Sequence, residues 1–216
     1  MTNARAAIFS RLRQSLGRDS LTSTIRDELV LKLQFPPVSL QPTINRDKLS
    51  QFKQQLEKVS GIIIEVNHEN QITDALKTWL LAQNYPLAAV IDARLGKLAW
   101  SEEWDVCIRN AQDSDVVSVT LAFTGIAETG SVVMLSSADA PTPLNFLPDV
   151  HCVILYESDM VCYMEEAWQK LRKEYTNPPR TVNVITGPSR TADIEQTIQL
   201  GAHGPRQFVV ILVQQR

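Results

Sequence analysis

Apolar residues recur along this chain at two alternating periods, one helical and one of strand type. Over Ala6 to Leu16, Ile8, Phe9, Leu12 and Leu16 fall near helical spacing with arginines between them, which predicts an amphipathic helix that needs a surface to dock on. Ser20 to Gln41 shows no clean period. It ends in Phe35-Pro36-Pro37 and Gln41-Pro42, which break helices, so it reads as a linker or wrapping arm. From Asp47, the positions Leu49, Phe52, Leu56 and Val59 make one apolar stripe, and Gly61 is placed to close that helix before the strand Ile62 to Val66. Asn70 is placed to cap a second helix bearing Ile72, Leu76, Trp79 and Leu80, after which Pro86 precedes the strand Leu87 to Ile91.

Further strands are expected at Val116 to Phe123, Ser131 to Ser136 and His151 to Tyr156, forming the middle of a sheet. A helix over 159–174 carries Val161, Met164, Ala167 or Trp168, and Leu171, and Asn177-Pro178-Pro179 ends it. The last unit runs from strand Thr181 to Ile185, through a loop at Thr186 to Arg190, into a helix from about Thr191 to Leu200, then strand Gln207 to Val213. Such alternation predicts the α/β class, with one largely parallel sheet covered by helices on both faces. The expected division is an N-terminal helical arm over residues 1–45 and an α/β domain over 46–216.

Composition narrows the partners. A formal charge of −3 supplies no basic field for a phosphate backbone, so nucleic acid is not an expected partner. The arginines at 5, 11, 13 and 18 interrupt any signal-peptide core, and the longest apolar runs are strand-sized, so the sequence predicts no membrane insertion and a cytoplasmic protein. Cys107, Cys152 and Cys162 are odd in number and far apart, which fits buried free thiols better than disulfides, a zinc site or an iron–sulfur site. No metal site and no cofactor in this chain are expected.

Three punctuated turns can carry chemistry. Thr186 to Arg190 lies between a strand and the expected helix start, where free N–H groups and the helix dipole favour an anion. There Gly187 permits unusual backbone angles, Ser189 and Thr191 offer hydroxyls, and Arg190 can grip an oxyanion in bidentate fashion. The competing reading has Ser189, Thr191 and Asp193 capping the helix. In Gly125 to Ser131, Glu128 is a candidate acid, base or nucleophile beside Thr129 and Gly130, or else a helix cap or ion-pair partner. His203, in the turn Gly201 to Arg206, is a candidate general base or a turn histidine bonded to backbone. Neither a dinucleotide fingerprint nor a Walker loop is present.

GIAETGSVV at 125–133 and TGPSRTADIEQTIQLGAHGP at 186–205, with Leu147-Pro148 before the strand at His151, resemble the signature segments of the lactate-utilisation protein C family, also called the LUD-domain family. That resemblance implies a fold like the sugar-phosphate isomerase and CoA-transferase group. It also implies participation in a three-part system oxidising L-lactate to pyruvate, in which the partner subunits carry the iron–sulfur clusters. CoA-transferases of similar fold use a glutamate in a small-residue turn as nucleophile, a setting that Glu128 resembles. The expected ligand is a small anion held by Thr129, Gly130, Gly187, Ser189, Arg190 and Thr191, with Glu128 and His203 in polar or proton-transfer roles. A homo-oligomer, a stand-alone isomerase, transferase or ligase acting on a phosphorylated or CoA-linked molecule, and a pure interaction module are the other expectations.

Overall fold

The computed structural model describes residues 4–17, 21–35, 40–44, 47–191, 199–201 and 203–215. The chain divides into two compact units, Met1–Leu40 and Gln41–Arg216. The first unit holds α1 (Ala4–Ser15) and α2 (Ser23–Gln34), neither of which contains a buried residue. The second helix corrects the expectation of a linker over Ser20 to Gln41. Thr22 caps it by accepting from Ile25 N at 3.4 Å, and Ile25, Leu29 and Leu33 recur every fourth residue, a stripe that the flanking prolines obscure in the sequence.

In the second unit, α3 (Lys48–Lys58) precedes β1 (Ile62–His68), and α4 (Ile72–Ala82) precedes β2 (Ala88–Ile91). Asp47 caps α3 through Ser50 N at 2.9 Å. At its far end Ser60 takes the left-handed conformation, and Ser60 N and Gly61 N return to Glu57 O and Leu56 O, so the serine and not Gly61 makes the reversal. Asn70 does not cap α4. It lies inside the short turn Glu69–Gln71, where the Gln71 side chain accepts from Asn67 N and His68 N.

Next come β3 (Asp105–Cys107), β4 (Val117–Leu121), β5 (Thr124–Ile126), β6 (Ser131–Leu135), β7 (Val150–Tyr156), β8 (Met160–Val161), α5 (Met164–Glu174), β9 (Val182–Ile185), β10 (Arg190–Thr191), β11 (Gln199–Leu200) and β12 (Gln207–Gln215). Six strands form one all-parallel sheet in the order β1-β12-β7-β4-β2-β3. That is the predicted parallel α/β sheet flanked by helices, but it is not the only sheet. Four other strands make a second sheet, β8-β5-β6-β9, in which β5, β6 and β9 pair antiparallel. Ser131 to Ser136 and Thr181 to Ile185, expected in the central sheet, belong to this one. The expected strand Val116 to Phe123 stops at Leu121 and passes through Ala122-Phe123 into β5, while the expected helix at 159 begins only at Met164 because Met160-Val161 pair with β5.

Packing explains the layers. Along β7 and β12, Cys152, Ile154, Val209 and Ile211 face Ile72, Leu76 and Leu80 of α4. The alternate residues Val153, Leu155, Phe208 and Val210 face Phe52 and Leu56 of α3 and Val132 and Met134 of the second sheet. Strands buried on both faces must be apolar throughout, which is why these segments read as continuous hydrophobic runs. On its outer side the second sheet is covered by α5 through Ala167 and Met164.

The turn between β5 and β6 sits directly on α3. Gly130 has φ +67°, and a Cβ there would overlap Leu56 N and the Gln55 backbone. A different constraint lies in the interior, where His151 is fully buried between β4 and β12. Its Nε2 lies 2.8 Å from Thr120 Oγ1, and burial pushes its pKa down to about 3. Folding therefore holds the imidazole neutral. Because the folded value lies below the ordinary 6.5, the unfolded chain binds the extra proton, and this contribution to stability is present above about pH 6.5 and is lost as pH falls towards 3. Urea unfolding between about pH 7 and pH 5 should show the wild type losing about 2 kcal/mol more than His151→Leu, and equal losses would place solvent at the ring. Gly130→Ala should lower the unfolding free energy by about 3 kcal/mol, from left-handed strain and overpacking together, whereas a change under about 0.5 kcal/mol would show that the turn can lift off α3.

Candidate functional site

The direction of β9 decides where the punctuated turns lie within the Gln41–Arg216 unit. Had β9 run parallel beside β4, its following loop would open at the carboxyl edge of the sheet, the usual place for ligands. Instead β9 runs antiparallel to β6, with Ile185 paired to Val132 and Val182 to Leu135. Thr186 to Arg190 thus emerges beside the end of α3, at the amino edge of β1: Gly187 packs on Val59 and Arg190 bonds Ser60 Oγ. The turn before β12 closes the same edge. Ser189 N donates to Pro205 O at 2.9 Å, Gly201 N donates to Ser189 O at 3.0 Å, and Arg206 N and Gln207 N donate to Asp149 O.

No helix begins at Thr191. Arg190-Thr191 pair antiparallel with Gln199-Leu200 as a two-stranded ribbon, and residues 192–198, including Asp193, lie outside the described residues. Among the described residues, then, no helix N-terminus stands at this loop. Arg190 instead places a cation at the carbonyl end of α3, where positive charge complements the dipole.

What the amino edge does bring together is a line of hydroxyls. Thr129 Oγ1 lies 2.7 Å from Ser131 Oγ, which lies 2.8 Å from Thr186 Oγ1. Ser131 is buried, Thr129 is half-buried and Thr186 is exposed. Gly130 and Gly187, both at positive φ, let these turns approach α3. Each hydroxyl can donate or accept, so the line can meet a polar ligand with either. Ser131 and Thr186 gain a role here that spacing alone did not assign, because they are 55 residues apart and meet only through the β6–β9 pairing.

Glu128 lies apart from that line. Its backbone N donates to Cys162 O at 2.9 Å, and its Oε2 accepts from Met164 N at 3.4 Å, at the start of α5. That is the helix-end position, shared with Glu166, whose Oε2 accepts from Cys162 N at 2.7 Å. His203 is exposed, and Ser189 packs near Gly204. The thiols divide: Cys152 is buried and its pKa raised by burial, Cys162 is half-buried, and Cys107 is exposed, contrary to the expectation of three buried thiols.

The carboxyl edge carries a cluster that sequence reading missed. Asp92, fully buried at the end of β2, accepts from Arg94 Nε at 2.9 Å, and Arg94 Nη2 also reaches Leu121 O at 3.0 Å. The hydrogen bond to Asp92 raises the Arg94 pKa above the ordinary guanidinium value. Nearby, Lys170 bonds Phe123 O at 3.0 Å and Asp159 at 3.1 Å. Both cations are already held by carboxylates, so this edge is braced rather than open. An Asp-x-Arg spacing after a strand is the only signal that could have marked it.

Comparison with known proteins follows the same framework. A family model for the LUD domain matches residues 49–213, essentially the whole α/β unit. Lactate utilization protein C of Anoxybacillus flavithermus is 27% identical, over 97% of this chain and 99% of its own length. The protein of that name from Bacillus subtilis is 29% identical, over 94% of this chain and 82% of its own length. The crystal structure of a DUF162 family protein from Deinococcus radiodurans superposes with a TM-score of 0.57 at 21% identity, covering 80% of this chain and 99% of that one, and shares its fold. With its six-stranded parallel sheet matched almost from end to end by the family model, the chain belongs to the LUD domain family.

Proposed function

We propose that this chain serves lactate utilisation as a subunit that supports oxidation of L-lactate to pyruvate by iron–sulfur partner subunits. Its own contribution is to hold a small hydroxylated carboxylate at the amino edge of the sheet. Support for the lactate role comes from the relatives named lactate utilization protein C, one of them similar over nearly the full length of both chains. Support for the division of labour comes from the cysteines. The sequence has three, one fewer than the four thiolates of a cubane cluster, which supports placing the clusters in partner subunits.

The observation that carries the ligand reading is the hydroxyl line Thr129–Ser131–Thr186 with the two positive-φ glycines, on the edge where Arg190 bonds Ser60 Oγ. A guanidinium suits a carboxylate, and a hydroxyl pair suits the 2-hydroxyl of a 2-hydroxy acid. Arg190 must exchange its bond to Ser60 Oγ for the ligand. On this reading the chain's part is to bind and orient the substrate.

Lactate-dependent dye reduction in a strain deleted for the gene tests both levels. Wild type should restore it, and Arg190→Ala and the double variant Ser131→Ala/Thr186→Val, each folded by melting temperature, should fall at least about tenfold, the loss of one charge-assisted bond. Failure of wild type to restore activity sinks the lactate role; full activity in both folded variants sinks only the ligand site. Glu128→Gln keeps an acceptor for Met164 N–H and should complement fully; abolished activity in a folded variant would make the carboxylate itself chemical.

A further inference from the structure

One serine in this fold takes a backbone conformation that disfavours a side chain. Among the described residues, only Ser60 and Asn84 combine a side chain with positive φ, at +65° and +59°. Asparagine tolerates that region, serine visits it far less, and glycine takes it freely. Ser60 closes α3 there, its N–H returning to Glu57 O at 2.9 Å, a reversal that glycine would make with less strain. What glycine lacks is the hydroxyl, and Ser60 Oγ accepts from Arg190 Nη2.

The kind of acceptor matters. Arg94, Arg109 and Arg206 are paired with Asp92, Asp115 and Asp149, whereas among the described residues no carboxylate pairs with Arg190. A neutral hydroxyl is a weaker acceptor for a guanidinium than a carboxylate is, so a ligand carboxylate can displace it. Gly187 packs on Val59, which keeps the start of the Arg190 loop at the same helix end as Ser60. On the reading that Arg190 grips a ligand carboxylate, we infer that Ser60 sets the affinity of that site as an internal competitor. Its hydroxyl anchors the guanidinium, and the ligand must break that bond to bind, which lowers the apparent affinity by the strength of the bond. Arg190 touches the ligand, and Ser60 acts through it.

The dissociation constant for L-lactate, from NMR titration of the purified full chain, tests this. Ser60→Gly should lower it about two- to tenfold, the worth of one hydrogen bond, in a protein that melts no lower than wild type. A gain in affinity is the reverse of what damage to the fold would cause. Ser60→Asn, which suits positive φ and restores an acceptor, should return to the wild-type value. Arg190→Ala should raise the constant at least about tenfold, and Ser60→Gly/Arg190→Ala should match Arg190→Ala alone, because the serine acts only through the arginine. An unchanged or weaker affinity in Ser60→Gly, beside a weaker one in Arg190→Ala, overturns the inference and leaves the ligand site standing. Ser60→Asn behaving like Ser60→Gly overturns it in the same way, since the backbone would then be the cause. A wild type that does not bind lactate, or an Arg190→Ala that binds it equally well, sinks the ligand site and this inference with it.

Discussion

Seven consecutive residues of β7, Val150–Tyr156, are buried, and every layer of the α/β unit is arranged to cover them. A strand hidden on both faces needs hydrogen-bonding neighbours on both edges and an apolar layer above and below. β4 and β12 supply the edges in parallel register, α4 covers one face, and α3 with the second sheet covers the other. The second sheet is thus no appendage, because without it Val153 and Leu155 would meet water. Removing that much apolar surface from water is the main driving force available to a unit of this size.

That covering task also sets the polarity of the site. To lie across the face, the chain leaves β4 at the carboxyl edge, reverses through β5 and turns at Gly130 against α3. The antiparallel partners then deliver Ser131 and Thr186 to the amino edge together. The carboxyl edge is meanwhile closed by Asp92 with Arg94 and Asp159 with Lys170. A buried carboxylate such as Asp92 is tolerable only with a cation in hydrogen-bonding contact, so these pairs are tied to the fold and not free for a ligand.

Polar groups inside the main layer follow a related rule. Ser118 and His151 stand in register on neighbouring strands, facing the second sheet, and Ser118 Oγ and His151 Nδ1 have no hydrogen-bond partner among the described residues. Thr120 engages the other ring nitrogen. A neutral imidazole tolerates such a place and an imidazolium does not, which makes the layer's cohesion depend on proton availability.

Sequence by itself determined the elements whose signal is local. The helical stripes of α3 and α4, the parallel strands β1, β2, β4, β7 and β12, and the family signature at 125–133 and 186–205 were all legible, because period, length and turn residues are properties of neighbours in the chain. Tertiary structure decided what depends on pairing between distant segments. Whether Val182–Ile185 enters the parallel sheet or an antiparallel one cannot be read from four apolar residues, since either sheet buries them. Yet that choice moves Thr186 and Arg190 from one edge of the protein to the other, and replaces a helix start at Thr191 with a ribbon. Glu128 likewise shows a carboxylate in a turn, and only the arrival of α5 makes it a neighbour of a helix end.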